Sequence, residues 1–190
     1  MSTRLGCHTT NIAESFIASI MTPDLNPASA AKPRRWLALL AWVGLCVSIG
    51  VVIGLLFKPG AWYAGLEKPA FNPPAWLFAP VWTTLYVAMG VAAWRIWCLP
   101  ASDDRRLALR QFGVQLILNA TWSPVFFGAH SLMGGLVVIV LMVFAIAATI
   151  QRFHALDKPA AWLLAPYLAW VSFATLLNVT LLALNGKFQG

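Results

Sequence analysis

Three apolar segments of the chain carry aromatic and amide side chains at helical spacing. The stripes consist of Trp82, Tyr86 and Met89; of Asn119, Trp122, Ser123 and Phe126; and of Tyr167, Trp170, Val171, Ala174 and Asn178. Residues three, four and seven positions apart share one helix face. Facing one another, such stripes would form a flat aromatic pocket for a large apolar ligand, with Asn119 and tyrosine hydroxyls as polar contacts. Helix packing, with asparagine joining helices, is their more common role, and spacing alone leaves both open.

Other residue types offer little chemistry. The long apolar segments of the chain contain no Asp or Glu. If these segments cross a membrane, this disfavours a proton- or ion-coupled pump. The histidines, His8, His130 and His154, lie far apart in the sequence, and the three cysteines lack C-x-x-C spacing. We therefore expect no metal site, no required cofactor and no conventional catalytic acid, base or nucleophile.

The composition of the chain is that of a membrane protein. Its 190 residues are 60% hydrophobic and only 10% charged, with a mean hydropathy of +0.75. Soluble domains are about 25% charged, so this chain cannot cover its core with solvated side chains. The net charge of +7 suggests nucleic-acid binding until the charges are located. Ten of the 13 lysines and arginines lie on one side of the predicted membrane, so we expect no nucleic-acid partner.

Five apolar stretches are each close to the roughly 20 residues that cross a bilayer as a helix. They cover residues 36–57, 76–98, 108–129, 132–153 and 160–184. Runs such as LVVIVLMVFAIAA do not alternate in polarity, which excludes a membrane β-barrel. The predicted fold is all-α, an integral membrane bundle of five transmembrane helices over residues 36–190, preceded by a loosely ordered tail at 1–35.

The basic residues predict the orientation of the bundle. The tail and the loops near residues 99–110 and 152–159 carry most of them, whereas the opposite side carries only Lys58, Lys68 and Lys187. The positive-inside rule places the N-terminus inside and the C-terminus outside. The early apolar patch is too short for a signal peptide, and Met21 is a second candidate for the start of the protein.

Prolines shape both the spans and the first loop. Pro80, Pro124 and Pro166 lie within predicted spans, where each removes a backbone donor and favours a kink that opens space between helices. The loop at 58–75 is rich in proline and aromatic residues, which predicts a stiff lid over the end of the bundle. An interfacial aromatic belt would explain its aromatic residues but not its Pro73-Pro74 pair.

Gly50 and Gly54 in the first span form a small-xxx-small pair. Such a pair allows two helices to approach closely. It marks either a dimer face or close packing within one bundle.

Four motifs carry a resemblance to a known family. They read W-Y-x-x-L-x-K-P-x-F-x-P-P (62–74), P-V-W-T-x-L-Y-x-x-M-G (80–90), L-N-x-x-W-x-P-x-F-F-G (118–128) and L-L-x-P-Y-L-A-W-V-x-F-A-x-L-L-N (163–178). They resemble the translocator protein family, also called tryptophan-rich sensory proteins or peripheral benzodiazepine receptors. The resemblance extends over about residues 36–185 and includes every predicted helix.

The resemblance implies a five-helix membrane protein, often a homodimer, with a ligand pocket beneath the first loop. Members bind porphyrins such as protoporphyrin IX, and mitochondrial members also bind cholesterol. Matching the motifs residue by residue gives the ligand-binding set Tyr63, Pro73, Trp82, Tyr86, Asn119, Ser123, Phe126, Trp170 and Ala174. Trp122 joins this set from the helical stripe.

Three functions are compatible with this pattern. The first is a receptor or carrier for tetrapyrroles that acts in tetrapyrrole regulation or stress response. The second is light-dependent porphyrin degradation, in which Trp82 and Trp170 would face the macrocycle. The third is a membrane sensor whose basic loops, including Arg105 and Arg106, contact a regulatory partner.

One departure concerns cholesterol. The recognition pattern at the end of the fifth helix requires a Tyr followed by a basic residue, but this chain has Val179 and no nearby Arg. Cholesterol binding is therefore doubtful, and we expect a bacterial inner-membrane protein.

Overall fold

A computed structural model describes the backbone of residues 27–186 and the side chains of residues 35–186. The chain divides into two compact units, 1–37 and 38–190, and the packing described below concerns the second. The predicted tail lies outside the described residues up to residue 26, as does Met21. From Pro27 onwards the backbone is helical, so the last part of that tail continues the first helix. Proline is well suited to a first helical position, and the alanines that follow favour the helix.

The part of the chain that the structure describes is helical throughout and contains no strand. Its helices are α1 (Pro27–Leu56), α2 (Ala61–Gly65), α3 (Ala75–Trp97), α4 (Asp103–Ser123), α5 (Leu132–Leu156) and α6 (Lys158–Asn185), with a π-helical turn at Pro124–Gly128. Each predicted span coincides with one of the five long helices. The all-α class and the helical membrane bundle are thereby confirmed.

Four of these helices are long and apolar enough to cross a membrane: α1 from Arg35, α3, α5 and α6. The helix α4 differs because its first two turns carry Asp103, Asp104, Arg105, Arg106 and Arg110. Its more apolar part begins at Phe112 and continues into the π-helical turn. The predicted third span therefore belongs to a helix whose first turns are charged.

Short polar side chains define where α4 and α5 begin. The hydroxyl oxygen of Ser102 accepts a hydrogen bond from the backbone N–H of Arg105 at 3.1 Å, which caps α4. Ser131 caps α5 through the N–H of Gly134 at 3.0 Å. Such caps satisfy backbone donors that have no partner within the helix.

The ion pair between Arg95 and Asp157 joins the end of α3 to the turn between α5 and α6. Two guanidinium nitrogens donate to the two carboxylate oxygens at 3.0 and 3.1 Å. The same carboxylate also caps α6, where it accepts from the N–H of Ala160 at 3.3 Å. Paired hydrogen bonds between a guanidinium group and a carboxylate are stronger and more specific than a single contact.

The helices α5 and α6 form the centre of the bundle. The helix α4 packs on α5, and α3 packs on α6. Their shared core contains fully buried side chains from all four helices, including Met89, Phe112, Ile146, Leu164 and Tyr167. The helix α1 lies at the edge, where Trp42 contacts Phe112 edge to face at 6.1 Å.

The three prolines have different local effects. Pro80 and Pro166 lie inside α3 and α6, whereas Pro124 begins the π-helical turn. In that turn the N–H of Ala129 donates to the carbonyl of Pro124 at 2.8 Å. The two residues are five positions apart, which is the spacing of a π-helical hydrogen bond. Single π-helical turns are frequent at functional sites.

Glycines control how closely α1 approaches α3. A Cβ atom at Gly90 would lie 2.5 Å from the Cα atom of Val43, and a Cβ atom at Gly50 would overlap the ring of Tyr86. Gly44 and Gly54 have nothing within 4 Å of such an atom. Of the predicted pair, Gly50 therefore serves packing within the bundle, and Gly54 faces outwards.

We predict that Gly90→Ala destabilises the protein by about 1–3 kcal/mol, because the added methyl group meets backbone that cannot rotate away. The control is Gly113→Ala in α4, where the methyl group enters open space. Removal of a helical glycine there should be neutral or stabilising by about 0.5–1 kcal/mol. Thermal unfolding in one detergent compares the two. Equal stability of both variants would contradict the close contact between α1 and α3.

Candidate ligand-binding site

A chain of hydrogen bonds joins α3, α4 and α6 in the middle of the bundle. The hydroxyl of Tyr86 donates to the Oδ1 atom of Asn119 at 2.6 Å. The Nδ2 atom of Asn119 donates to the hydroxyl oxygen of Tyr167 at 3.0 Å. The Tyr167 hydroxyl in turn donates to the sulfur of Met142 on α5 at 3.3 Å. Asn119 therefore acts as interhelical glue and retains half of its hydrogen-bonding capacity for another group.

Trp82 lies beside this chain. Its ring centroid is 5.5 Å from that of Tyr86 and 6.3 Å from that of Tyr167. The indole is half-buried and so presents part of its surface. The sequence stripe correctly grouped Trp82 with Tyr86, and the fold brings Asn119 to them.

A second group of aromatic residues lies just beyond Asn119, at the C-terminal end of α4 and around the π-helical turn. Trp122 stacks on Phe126 with ring centroids 4.7 Å apart and planes inclined by 20°. Phe127 contacts both rings edge to face, at 5.6 and 4.9 Å. Trp122 packs against both the central core and this outer cluster. It therefore connects the two parts of the site.

The loop at 58–75, here called the lid loop, lies against this outer cluster. Trp62 and Tyr63 in α2 both contact the ring of Phe126 edge to face, at 5.7 and 6.1 Å. Trp62 also stacks on His130 at 4.8 Å. His130 has a φ of 53°, the left-handed conformation, and this places its ring at the end of the π-helical turn beside α2.

The hydroxyl of Tyr63 is oriented by neighbours in its own loop. It donates to the Oδ1 atom of Asn72 at 3.4 Å, and the ammonium group of Lys68 lies 4.9 Å from the centre of its ring. Burial raises the pKa of the Tyr63 hydroxyl. The phenol therefore stays protonated at neutral pH and remains a hydrogen-bond donor.

Asn185 fastens the lid loop to the end of α6. Its Oδ1 atom accepts from the backbone N–H of Glu67, and its Nδ2 atom donates to the carbonyl of Glu67, both at 2.9 Å. The same Nδ2 atom donates to the carbonyl of Leu181, and the side chain is buried. Sequence reasoning missed this residue because its partner lies 118 positions away and no stripe includes it.

The remaining predicted residues are distributed around these clusters. Trp170 belongs to a row of rings with Phe78 and Phe173, at 5.9 and 5.8 Å. Ala174 packs on the central core. Ser123 is the last residue of α4, and Pro73 lies in the lid loop, where its carbonyl accepts from Asn72 at 3.2 Å.

Two buried polar groups in the described residues have no hydrogen-bond partner. They are the side-chain amide of Gln115 and the indole N–H of Trp122. Gln115 lies one turn before Asn119 on the buried face of α4 and was missed by the sequence stripes, although its i−4 spacing was a usable signal. An unpaired buried donor costs free energy, so the N–H of Trp122 and the amide of Gln115 would each gain from a hydrogen-bond partner.

Comparison with known proteins agrees with this architecture. Residues 42–184 match the TspO/MBR family. The chain belongs to this family. It is 44% identical over 159 residues to the tryptophan-rich protein TspO of Chlorobaculum tepidum, an alignment that covers 80% of this chain and 98% of that protein.

Relatives from other organisms have a similar sequence identity to this chain. The chain is 39% identical over 150 residues to the tryptophan-rich sensory protein of Cereibacter sphaeroides, covering 79% of this chain and 92% of the relative. It is 40% identical over 151 residues to the human translocator protein, covering 77% and 89%. With the apolar helices, family membership identifies an integral membrane protein that contacts the lipid bilayer.

We predict that Asn185→Ala releases the lid loop. Two side-chain hydrogen bonds to Glu67 disappear, and a net contribution of about 0.5–1.5 kcal/mol for each, about 1–3 kcal/mol together, corresponds to amide exchange at Glu67 that is about 5- to 150-fold faster. Hydrogen–deuterium exchange of peptides from the loop measures this change. Thr180→Ala is the control, because that hydroxyl bonds only the carbonyl of Leu176 within α6. Unchanged protection in Asn185→Ala would contradict the fastening role.

We predict that Gln115→Leu stabilises the ligand-free protein by about 1–3 kcal/mol, because it removes two buried polar atoms that have no partner. Gln111→Leu is the matched control. The Gln111 amide reaches the carbonyl of Ala145 at 3.5 Å, so its replacement should bring no gain. Unfolding in mild detergent measures both variants. A loss of stability in Gln115→Leu would mean that its amide has a hydrogen-bond partner inside the folded protein.

Proposed function

We propose that this protein binds flat tetrapyrroles such as protoporphyrin IX as a membrane receptor or carrier in tetrapyrrole regulation or stress response. The observation that carries the proposal is the aromatic lining around the polar chain of Tyr86, Asn119 and Tyr167, with the lid loop beside it. No resident cofactor is required in this proposal. The tetrapyrrole is the ligand.

The chemistry of the site suits a flat conjugated ring. Half-buried Trp82 and Trp170 offer faces on which a macrocycle stacks, and such stacking is favourable beyond the area it buries. The unpaired N–H of Trp122 is a donor for a propionate or carbonyl oxygen. The hydroxyl of Tyr63 is a second donor near the lid loop.

Access requires the lid loop to move. Phe126 is nearly fully buried beneath Trp62 and Tyr63, so a macrocycle reaches the outer cluster only when these rings separate. The fastening by Asn185 leaves one end of the loop attached while α2 swings. The printed names of relatives, translocator and sensory protein, agree with a ligand that enters and leaves.

The cellular setting follows from the charges. We place the protein in a bacterial inner membrane with its N-terminus inside and its C-terminus outside, because basic residues concentrate at one end of the bundle. We also propose a homodimer. Gly44 and Gly54 face open space on α1, where a helix of a second copy can approach closely.

A second candidate is light-dependent porphyrin degradation. The observation that favours it is the contact of Trp82 with two tyrosine rings, a row of electron-rich side chains beside the site. The described residues contain no group of metal-ligating side chains. In this candidate, chemistry would begin from the excited state of the bound porphyrin.

The binding test is a titration of detergent-purified protein with protoporphyrin IX in the dark, followed by tryptophan quenching and the porphyrin absorbance band. We predict saturable binding that weakens by about 5- to 150-fold in Trp170→Ala, as for other buried aromatic contacts. Trp122→Phe keeps an aromatic ring but removes the N–H and the pyrrole part of the indole, so it tests the hydrogen bond together with part of the stacking area.

The matched control is Trp162→Ala, which removes an indole from the same helix as Trp170 at a position 70% exposed. Its affinity should equal that of the parent protein. Equal weakening in both variants, or no saturable binding in the parent, contradicts the proposed site. Illumination of the saturated sample then separates the candidates: bleaching that slows in Trp82→Phe supports degradation, and protein-independent bleaching leaves a receptor or carrier.

A further inference from the structure

A basic cleft lies at the turn between α3 and α4, at the opposite end of the bundle from the lid loop. It has a volume of about 370 Å³ and is lined by Arg105, Arg106 and Arg110 together with Trp97 and Leu109. Neither the tetrapyrrole site nor its hydrogen-bond chain uses any of these side chains. The cleft therefore needs an explanation of its own.

The three arginines differ in how many hydrogen bonds and ion pairs their guanidinium groups make within the protein. The Nη1 atom of Arg105 donates to the carbonyls of Leu99 and Trp97, at 2.7 and 3.2 Å, which holds this cation in place. Arg106 pairs with Asp103 at 3.0 Å, but both side chains are largely exposed. An exposed pair of this kind contributes little and leaves the guanidinium available.

Arg110 has neither a hydrogen bond nor an ion pair within the described part of the chain. It lies seven residues into α4 from Asp103, about 10 Å along the helix axis. Exposed Leu107 lies on the turn before it and exposed Val114 on the turn after. An arginine at this depth of a membrane helix is costly unless it reaches the interface and meets an anion.

The surroundings identify the anion. Trp97 is 39% exposed, and tryptophan at a helix end is typical of the headgroup level of a bilayer. Asp103 and Asp104 occupy the first turn of α4, where they complement the helix dipole and stand on the aqueous side of Arg110. A phosphate between Arg106 and Arg110 would thus lie at the boundary between water and hydrocarbon.

We propose that this cleft binds the phosphate of an anionic phospholipid in the leaflet on the basic side of the membrane. Arg106 and Arg110 contact the phosphate, and Arg105 adds a fixed positive charge. Trp97 and Leu109 pack against the glycerol and the first acyl carbons. Basic pockets of this kind between helix ends bind lipid headgroups in other membrane proteins. The inference depends on the membrane fold and is independent of the tetrapyrrole proposal.

The test compares two variants that each lose two positive charges at the same end of the bundle. Arg106→Gln/Arg110→Gln removes the cleft contacts. Arg152→Gln/Lys158→Gln is the control, because both of its side chains are exposed and lie outside the cleft. Each protein is placed in phosphatidylcholine nanodiscs with increasing phosphatidylglycerol, and its thermal unfolding and lipid adducts in native mass spectrometry are measured.

We expect phosphatidylglycerol to raise the unfolding temperature of the parent and the control, with adducts retained in both. The cleft variant should lose about tenfold or more in apparent lipid affinity, given the contribution of each basic residue near an anionic surface. Arg110→Lys keeps the charge and should retain most of the response, which separates lipid binding from loss of folding.

Three results would overturn the proposal. Equal loss in the cleft variant and the control would mean a diffuse charge effect without a site. An equal rise in unfolding temperature from inorganic phosphate in phosphatidylcholine nanodiscs would assign the cleft to a soluble anion. Absence of any response of the parent protein to phosphatidylglycerol would remove lipid binding altogether.

Discussion

The hydrogen-bond chain from Tyr86 through Asn119 to Tyr167 is the interaction on which the bundle depends. Lipid offers polar groups no partner, so a hydroxyl or amide in the spans gains free energy when it finds one inside the protein. Asn119 satisfies two tyrosines from two other helices at once. Because these groups have no alternative in the bilayer, the chain fixes the relative rotation of α3, α4 and α6. The relative rotation of these helices determines where the aromatic rings of the site lie.

The same constraint makes α4 the helix that carries most of the unusual features. Its buried face bears Gln111, Gln115, Asn119 and Ser123, four residues apart, and its first turns are charged. Such a helix is unfavourable in lipid by itself, and it is stable here because α5 covers one side and α3 supplies Tyr86. The bundle leaves two polar groups unpaired, the amide of Gln115 and the N–H of Trp122, and these groups would gain most from a new partner.

Local patterns predicted the helices well because hydrophobic length and helical spacing are local properties. The five long helices and the grouping of Trp82 with Tyr86 follow from them directly. The helix α1 begins at Pro27, before the predicted span at residue 36, since a polar composition does not prevent an alanine-containing segment from continuing a helix. The role of Gly50 was left open between a dimer and the bundle. It depends on Tyr86 from another helix, which spacing within α1 cannot reveal.

Pairs distant in sequence were beyond prediction for a physical reason. Arg95 with Asp157 and Asn185 with Glu67 meet only after the helices have assembled, and neither pair leaves a periodic trace. Yet the two pairs act at opposite ends of α6, one at its first turn and one at its last. Together they hold α6 at both ends and resist its sliding along its own axis. The segment between Gly60 and Glu67 is attached to α6 at one point. In the proposed binding mode, a ligand would displace Trp62 and Tyr63 by moving the lid loop alone, and the polar chain that holds the bundle together would stay in place.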